Sequence, residues 1–257
     1  QPPLRLSASR MSTFANLRDW CCERGAEWSP TLDVRGLDDE RGERGRGVFA
    51  TAPIKEGELL LRLPASLIIQ PSGPIAKLVA SGECSKLLGL ALTHMHESRV
   101  AEPRAAYFAD LASQPPPNVP LRWKEADVAQ LLGTSLLPRS CSAADAEAAA
   151  EAHFKEAVLP AMRAAGEAWL PPALHDRGAF EVSLAWVVSR ALLGRVSYEH
   201  GAAGLWPYLG ADAPSALSRH GDGLFLLPLF DMINHSSDAA ARSTVLRHLG
   251  TGEGGAH

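Results

Sequence analysis

The stretch Leu224-Phe-Leu-Leu-Pro-Leu-Phe-Asp-Met-Ile-Asn-His-Ser-Ser237 decides how this chain is read. An apolar run delivers Asp231, Asn234 and His235 to one short turn. Apolar runs of this length mark a strand or helix segment buried on more than one face. Polar groups at the end of such a run sit beside a core and need hydrogen-bond partners there. Either the fold supplies those partners, as in a satisfied Asn-His pair at a strand end, or a ligand does.

Working back from the turn, strand signals are absent until the first third of the chain. Val48-Phe-Ala-Thr-Ala52 and Glu58-Leu-Leu-Leu-Arg-Leu63 read as strands joined across the turn-forming Pro53-Ile-Lys-Glu-Gly57, and Ser66-Leu-Ile-Ile-Gln70 reads as a third. The charged, glycine-rich Asp38–Gly47 segment before them reads as a loop. Between the two strand regions the texture is helical. Leu87, Leu88, Ala91, Leu92 and Met95 form one stripe, Trp123–Leu132 a further helix, and Ala143–Ala165 an Ala- and Glu-rich helix largely facing water. Phe180–Leu193 carries two apolar stripes and reads as a buried helix. Near the N-terminus Phe14, Leu17 and Trp20 recur at helical spacing, with Gly25 as a stop. The order of strands, helices and strands, without an internal repeat, predicts one α+β domain whose sheet is interrupted by a helical insertion.

Composition narrows the function. The 257 residues are 46% hydrophobic and 21% charged, an ordinary globular balance. The net charge of −4 and pI near 6.2 provide no global basic footprint for nucleic acid. No apolar run is long enough to span a bilayer. Cys21, Cys22, Cys84 and Cys141 form no CxxC pair, which is a reduced intracellular pattern with neither a disulfide framework nor a zinc cluster. That fits the cytoplasm or nucleus and leaves an organelle open. His94 and His96 are two residues apart on a helix and point to different faces, so they are read as non-ligands.

Three places can carry chemistry. Gly45-Arg46-Gly47 precedes a strand, so it is no dinucleotide fingerprint; its glycines serve a turn or let a ligand approach the backbone. Ser189-Arg190 lies in the doubly apolar helix, where the guanidinium either snorkels outward or meets an anion such as a ligand carboxylate. The Asp231-Asn234-His235 turn lacks a G-x-S-x-G elbow, and Ser236 directly after His235 is poorly placed for a nucleophile-base pair.

In this order these segments resemble the SET domain methyltransferases, in the subclass of the Rubisco large-subunit lysine methyltransferase. Gly45-Arg-Gly-Val-Phe-Ala-Thr-Ala-Pro-Ile-Lys-Glu-Gly-Glu-Leu-Leu60 resembles the opening GxG turn and hairpin, and Phe14–Gly25 the preceding helix. Tyr107-Phe-Ala-Asp-Leu111, Pro120-Leu-Arg-Trp123 and Leu131-Leu-Gly-Thr134 resemble the inserted helical region. Ser189-Arg190-Ala191 resembles the subclass's SRA helix, and Asp231-Met-Ile-Asn-His-Ser236 its D-x-x-N-H-S signature.

The resemblance implies a SET domain over 10–257, with N-terminal strands at about 34–70, a helical insertion at about 71–222 and the start of the C-terminal region at 223–257. It implies S-adenosylmethionine as cofactor and a lysine side chain of a protein as substrate, with a histidine substrate as the alternative. The backbone of Gly45, Arg46 and Gly47, the guanidinium of Arg190, and Asn234 and His235 would bind the cofactor. Ser189 would line the lysine channel through its carbonyl, and no metal takes part. The subclass completes its methyl-transfer pore with a tyrosine in a Ser-Tyr-Gly segment after the N-H-S strand. Tyr107, Tyr198 and Tyr208 all precede that motif. The chain is therefore read as an incomplete or variant catalytic domain, with no catalytic residue assigned. A non-catalytic binding or regulatory module on the same scaffold is the competing reading.

Overall fold

The computed structural model describes residues 8–38, 44–99, 104–134, 137, 140–193 and 224–233. These combine helices with three small two-stranded sheets, an α+β fold in the general sense. Helix α1 (Ala8–Glu23) buries Phe14, Leu17 and Cys21 on one face. It stops in a Schellman motif: Gly25, at φ 91°, donates to the Cys22 carbonyl and Ala26 donates to the Cys21 carbonyl.

The strands depart from the sequence reading. Strand β2 (Leu32–Asp38) pairs antiparallel with β3 (Arg44–Ala50), while β1 (Glu27–Trp28) pairs with β4 (Leu61–Arg62). The expected hairpin between 48–52 and 58–63 does not form, because each partner is taken by a segment upstream of the glycine-rich run. That run is itself strand: Gly45, Arg46 and Gly47 pair with Leu37, Gly36 and Arg35. Ladder hydrogen bonds to β2 outweigh the low strand propensity of glycine. The expected third strand shrinks to a 3₁₀ turn at Ala65–Leu67 and one bridge, in which Ile69 and Leu226 exchange both backbone hydrogen bonds at 3.0 and 2.9 Å.

Helices α2 (Gly73–Ala80) and α3 (Lys86–Glu97) follow. Ser85 caps α3 by accepting from the Leu88 amide, and Leu88, Ala91, Leu92 and Met95 are buried as the stripe predicts. A buried tie fixes the Ile69 segment to these helices. Arg104 donates to both Glu97 carboxylate oxygens at 2.7 Å, Ser72 donates its hydroxyl to Glu97, and the Ser72 amide donates to Thr93. Helix α4 (Ala105–Ala112) comes next. The expected helix over Trp123–Leu132 is broken into a short α5 (Glu125–Val128) and a 3₁₀ turn at Ala129–Leu131.

Helices α6 (Ala143–His153) and α7 (Leu159–Ala165) are continuous through a π-turn at Phe154–Val158. Pro160 explains the π-turn: it has no N–H, and its ring would collide with the carbonyl four residues back in an α-helix. This run is less solvated than composition suggests, since Ala146, Ala150, Phe154, Val158 and Met162 line a buried face. Helix α8 (Arg177–Arg190), capped by Asp176, packs along α3 at the centre of the fold. Arg177 joins it to α6 through Glu147 and Glu151. Contrary to the sequence reading, α8 ends at Arg190. Ala191 is extended, and Leu192–Leu193 form β5, paired with β6 (Leu224–Phe225). No glycine or proline stops the helix there; the strand pairing does. No described helix is long and apolar enough to cross a membrane.

Candidate functional site

Beyond β6 the apolar run turns sharply. Leu229, fully buried, holds φ 69°, ψ −40°, a conformation that a β-carbon disfavours. Leu227 accepts from the Asp231 amide, and a 3₁₀ turn at Phe230–Met232 follows. This places the Asp231 carboxylate in the interior with 1% of its side chain exposed. Strand β3, carrying Gly45, Arg46 and Gly47, packs against the same turn.

Asp231 is the centre of a polar network. Its Oδ2 accepts from the Tyr107 hydroxyl at 2.8 Å and from Arg190 Nη1 at 3.2 Å. Arg190 Nη2 donates to Gln114 Oε1 at 3.1 Å, and Gln114 Nε2 donates to the Asp110 carbonyl and carboxylate. The guanidinium carbon lies 5.0 Å from the Trp186 ring centroid, one helical turn back on α8. Two buried atoms of this ion pair have no partner among the described residues: Arg190 Nε, a donor, and Asp231 Oδ1, an acceptor.

Burial pushes the Asp231 carboxyl upward, opposed by the Arg190 guanidinium and the Tyr107 hydrogen bond. The Tyr107 hydroxyl is held well above its ordinary range by burial and by the Asp231 charge, which keeps it a donor. Cys21 borders the same region; burial pushes its thiol up to about 12, with the charges of Cys22 and Asp231 adding to it, so it is no thiolate nucleophile.

Arg190 therefore turns inward, as an anion-seeking guanidinium would, but its anion is Asp231 rather than a ligand. It sits at the C-terminal end of α8, not in the helix interior. Ser189 is beside it, its hydroxyl donating to the Trp186 carbonyl at 3.1 Å. Gly45, Arg46 and Gly47 lie in a strand rather than in the expected turn, with Gly47 buried. Asn234 and His235 lie outside the described residues, as do Tyr198 and Tyr208. Sequence reasoning missed Tyr107 and Gln114 as site residues and placed Asp231 in the turn without a role. Tyr107 carried a usable signal, because a tyrosine in an otherwise apolar helix must find its hydroxyl a partner. Gln114 carried none.

His94 and His96 do diverge. His96 stacks on Trp169 at 4.3 Å and shares a 2.7 Å hydrogen bond with the Trp169 carbonyl, whereas His94 is buried edge-on to Phe108. No cluster of metal-ligating side chains occurs among the described residues.

The network can recognise a small group carrying both charges. Arg190 Nε and Asp231 Oδ1, both buried, are one uncommitted donor and one uncommitted acceptor, the two polarities such a group would answer. No protein-family model matches the chain, and no curated protein matches it.

Proposed function

We propose that the chain binds S-adenosylmethionine as a protein-lysine N-methyltransferase of the SET class. The observation that carries this reading is the Arg190–Asp231 pair. It is buried, its Asp231 lies on the turn that packs against β3, and it keeps one donor and one acceptor unspent. Those are the two polarities of an amino-acid headgroup such as the methionine end of the cofactor. A buried Nε–H and a buried carboxylate oxygen without partners each cost free energy that such a ligand would return. The glycines of β3 add a side-chain-free backbone edge, suited to close approach.

The cofactor supplies an electrophilic methyl on a sulfonium. The chain's own residues bind, orient and exclude water. Arg190 and Asp231 hold the headgroup, and β3 and the Phe230–Met232 turn wall the site. A lysine substrate, with an ordinary pKa near ~10.4, must enter neutral, and an apolar channel beside a cation favours that form. Transfer to histidine uses the same groups. A scaffold that binds without transferring is favoured by one observation: Tyr107, the one tyrosine among the described residues, is spent on Asp231.

Calorimetry with S-adenosylhomocysteine and with methylthioadenosine tests the reading. The first carries the headgroup and the second lacks it. Binding of the first, with a loss of about tenfold or more for the second and for Arg190→Ala, is expected. Equal affinity for both, or none for either, overturns it. Incubation with labelled cofactor and cell lysate, followed by mass spectrometry, separates lysine from histidine transfer and both from binding alone.

A further inference from the structure

We propose that Tyr107 on α4 and Gln114 just beyond its C-terminal end are positioning residues that preset the Arg190–Asp231 pair before any ligand arrives; this rests on the cofactor reading above. Arg190 sits on the last turn of α8 and Asp231 on a strained turn far away in sequence, so neither element alone fixes the pair. The α4 segment reaches both halves. The Tyr107 hydroxyl takes the same Oδ2 that receives Arg190 Nη1, which leaves Oδ1 as the free acceptor. Gln114 takes Nη2, which leaves Nε as the free donor. Gln114 is itself anchored to the Asp110 carbonyl one turn earlier. With Nη1 and Nη2 each hydrogen-bonded and one face beside Trp186, Nε is the guanidinium nitrogen left without a partner. Rotation about the Nε–Cζ bond would have to break both hydrogen bonds at once. Each hydrogen bond to a charged group is among the stronger kinds, so the orientation is held firmly in a buried site. Tyr107 is also fixed by its ring, edge-on to Phe108 at 5.3 Å, so removing its hydroxyl alone leaves the packing intact.

The test uses the full chain with Tyr107→Phe, Gln114→Ala and the double variant. Nitrogen NMR of the Arg190 side chain, identified by the loss of its signal in Arg190→Lys, measures Nε–Cζ rotation without ligand. Slow rotation in the parent and an acceleration of about tenfold in each single variant, greater in the double, is expected. Calorimetry with S-adenosylhomocysteine should show a parallel loss of about tenfold per variant. Rotation unchanged in both single variants overturns the proposal, even if melting temperature falls, because a purely structural role moves stability and not the guanidinium. Faster rotation in variants of a parent that does not bind S-adenosylhomocysteine supports the positioning role and overturns the cofactor reading instead. Gln114 is only half-buried, so Gln114→Ala keeps the test decisive if Tyr107→Phe fails to fold.

Discussion

Replacing His94 with leucine should stabilise this protein, and increasingly so in acid. The imidazole is 5% exposed on α3, edge-on to Phe108, and neither ring nitrogen has a partner. Desolvation, with the nearby positive charge of Arg99 adding to it, pushes its pKa down from 6.5 to about 3. The sign follows from proton counting. Below about pH 6.5 the unfolded chain holds a proton on this ring that the folded chain refuses until about pH 3. Stability is therefore fully present above the unfolded pKa and is lost as pH falls, by up to about 1.4 kcal/mol per pH unit. From about pH 6 to about pH 4 the loss from this group alone is about 2.5 kcal/mol. His94→Leu abolishes it. At neutral pH the substitution also removes two unsatisfied polar atoms, worth about 1–3 kcal/mol, against about 1 kcal/mol for the lost ring contact. The assay is urea unfolding followed by tryptophan fluorescence at a series of pH values. Asp231 and Glu181, whose carboxyls are raised by burial, respond in the opposite sense, but both proteins contain them and the difference cancels. A gap between variant and parent that stays constant from neutral to acid pH refutes the reasoning. So does a variant less stable than the parent at neutral pH.

Other substitutions probe the elements around the site. Leu229→Ala and Leu229→Gly both lose a buried side chain, about 2–5 kcal/mol, but at φ 69° the glycine variant should equal or exceed the alanine variant by about 1 kcal/mol, the reverse of the usual order; urea midpoints decide this. Glu97→Ala should cost about 3–5 kcal/mol by stranding the Arg104 guanidinium, and pairing Glu97→Leu with Arg104→Met should recover most of it in thermal melts. Gly89→Ala, a gain of about 1 kcal/mol on helix propensity, should instead destabilise by about 1 kcal/mol, because the added Cβ would lie 2.5 Å from Val79 Cγ2 and 3.2 Å from Ile75 Cγ2; calorimetric melting measures it.

What the sequence disclosed and what it concealed divide along one physical line. The stripe from Leu88 to Met95 and the Gly25 stop are local signals, set by side chains within a turn or two of one another, and they appear where the pattern places them, whereas α8 begins at Arg177 rather than at the expected Phe180. The strands are set by partners. Nothing within Gly45-Arg46-Gly47 reveals that β2 will recruit it, and nothing after Arg190 reveals that Leu224 will draw Leu192 and Leu193 out of the helix. The site follows the same division. Arg190 and Asp231 stood out because a charge within an apolar context demands explanation. Their meeting, and the reach of Tyr107 and Gln114 to them, is a property of tertiary packing alone.

The bridge between Ile69 and Leu226 has a consequence for how the chain is born. It joins the end of the first strand region to the last described segment, and β5–β6 and the Arg190–Asp231 pair close around it. The Ile69–Leu226 bridge closes a long stretch of chain, so loop-closure entropy delays it until the helices are in place. During synthesis, α1, α3, α4 and α8 leave the ribosome before Leu224–Met232 exists to cover them. The nascent chain thus carries an uncovered apolar seat, a natural substrate for chaperones. A ligand that grips Arg190 and Asp231 would steady that closure.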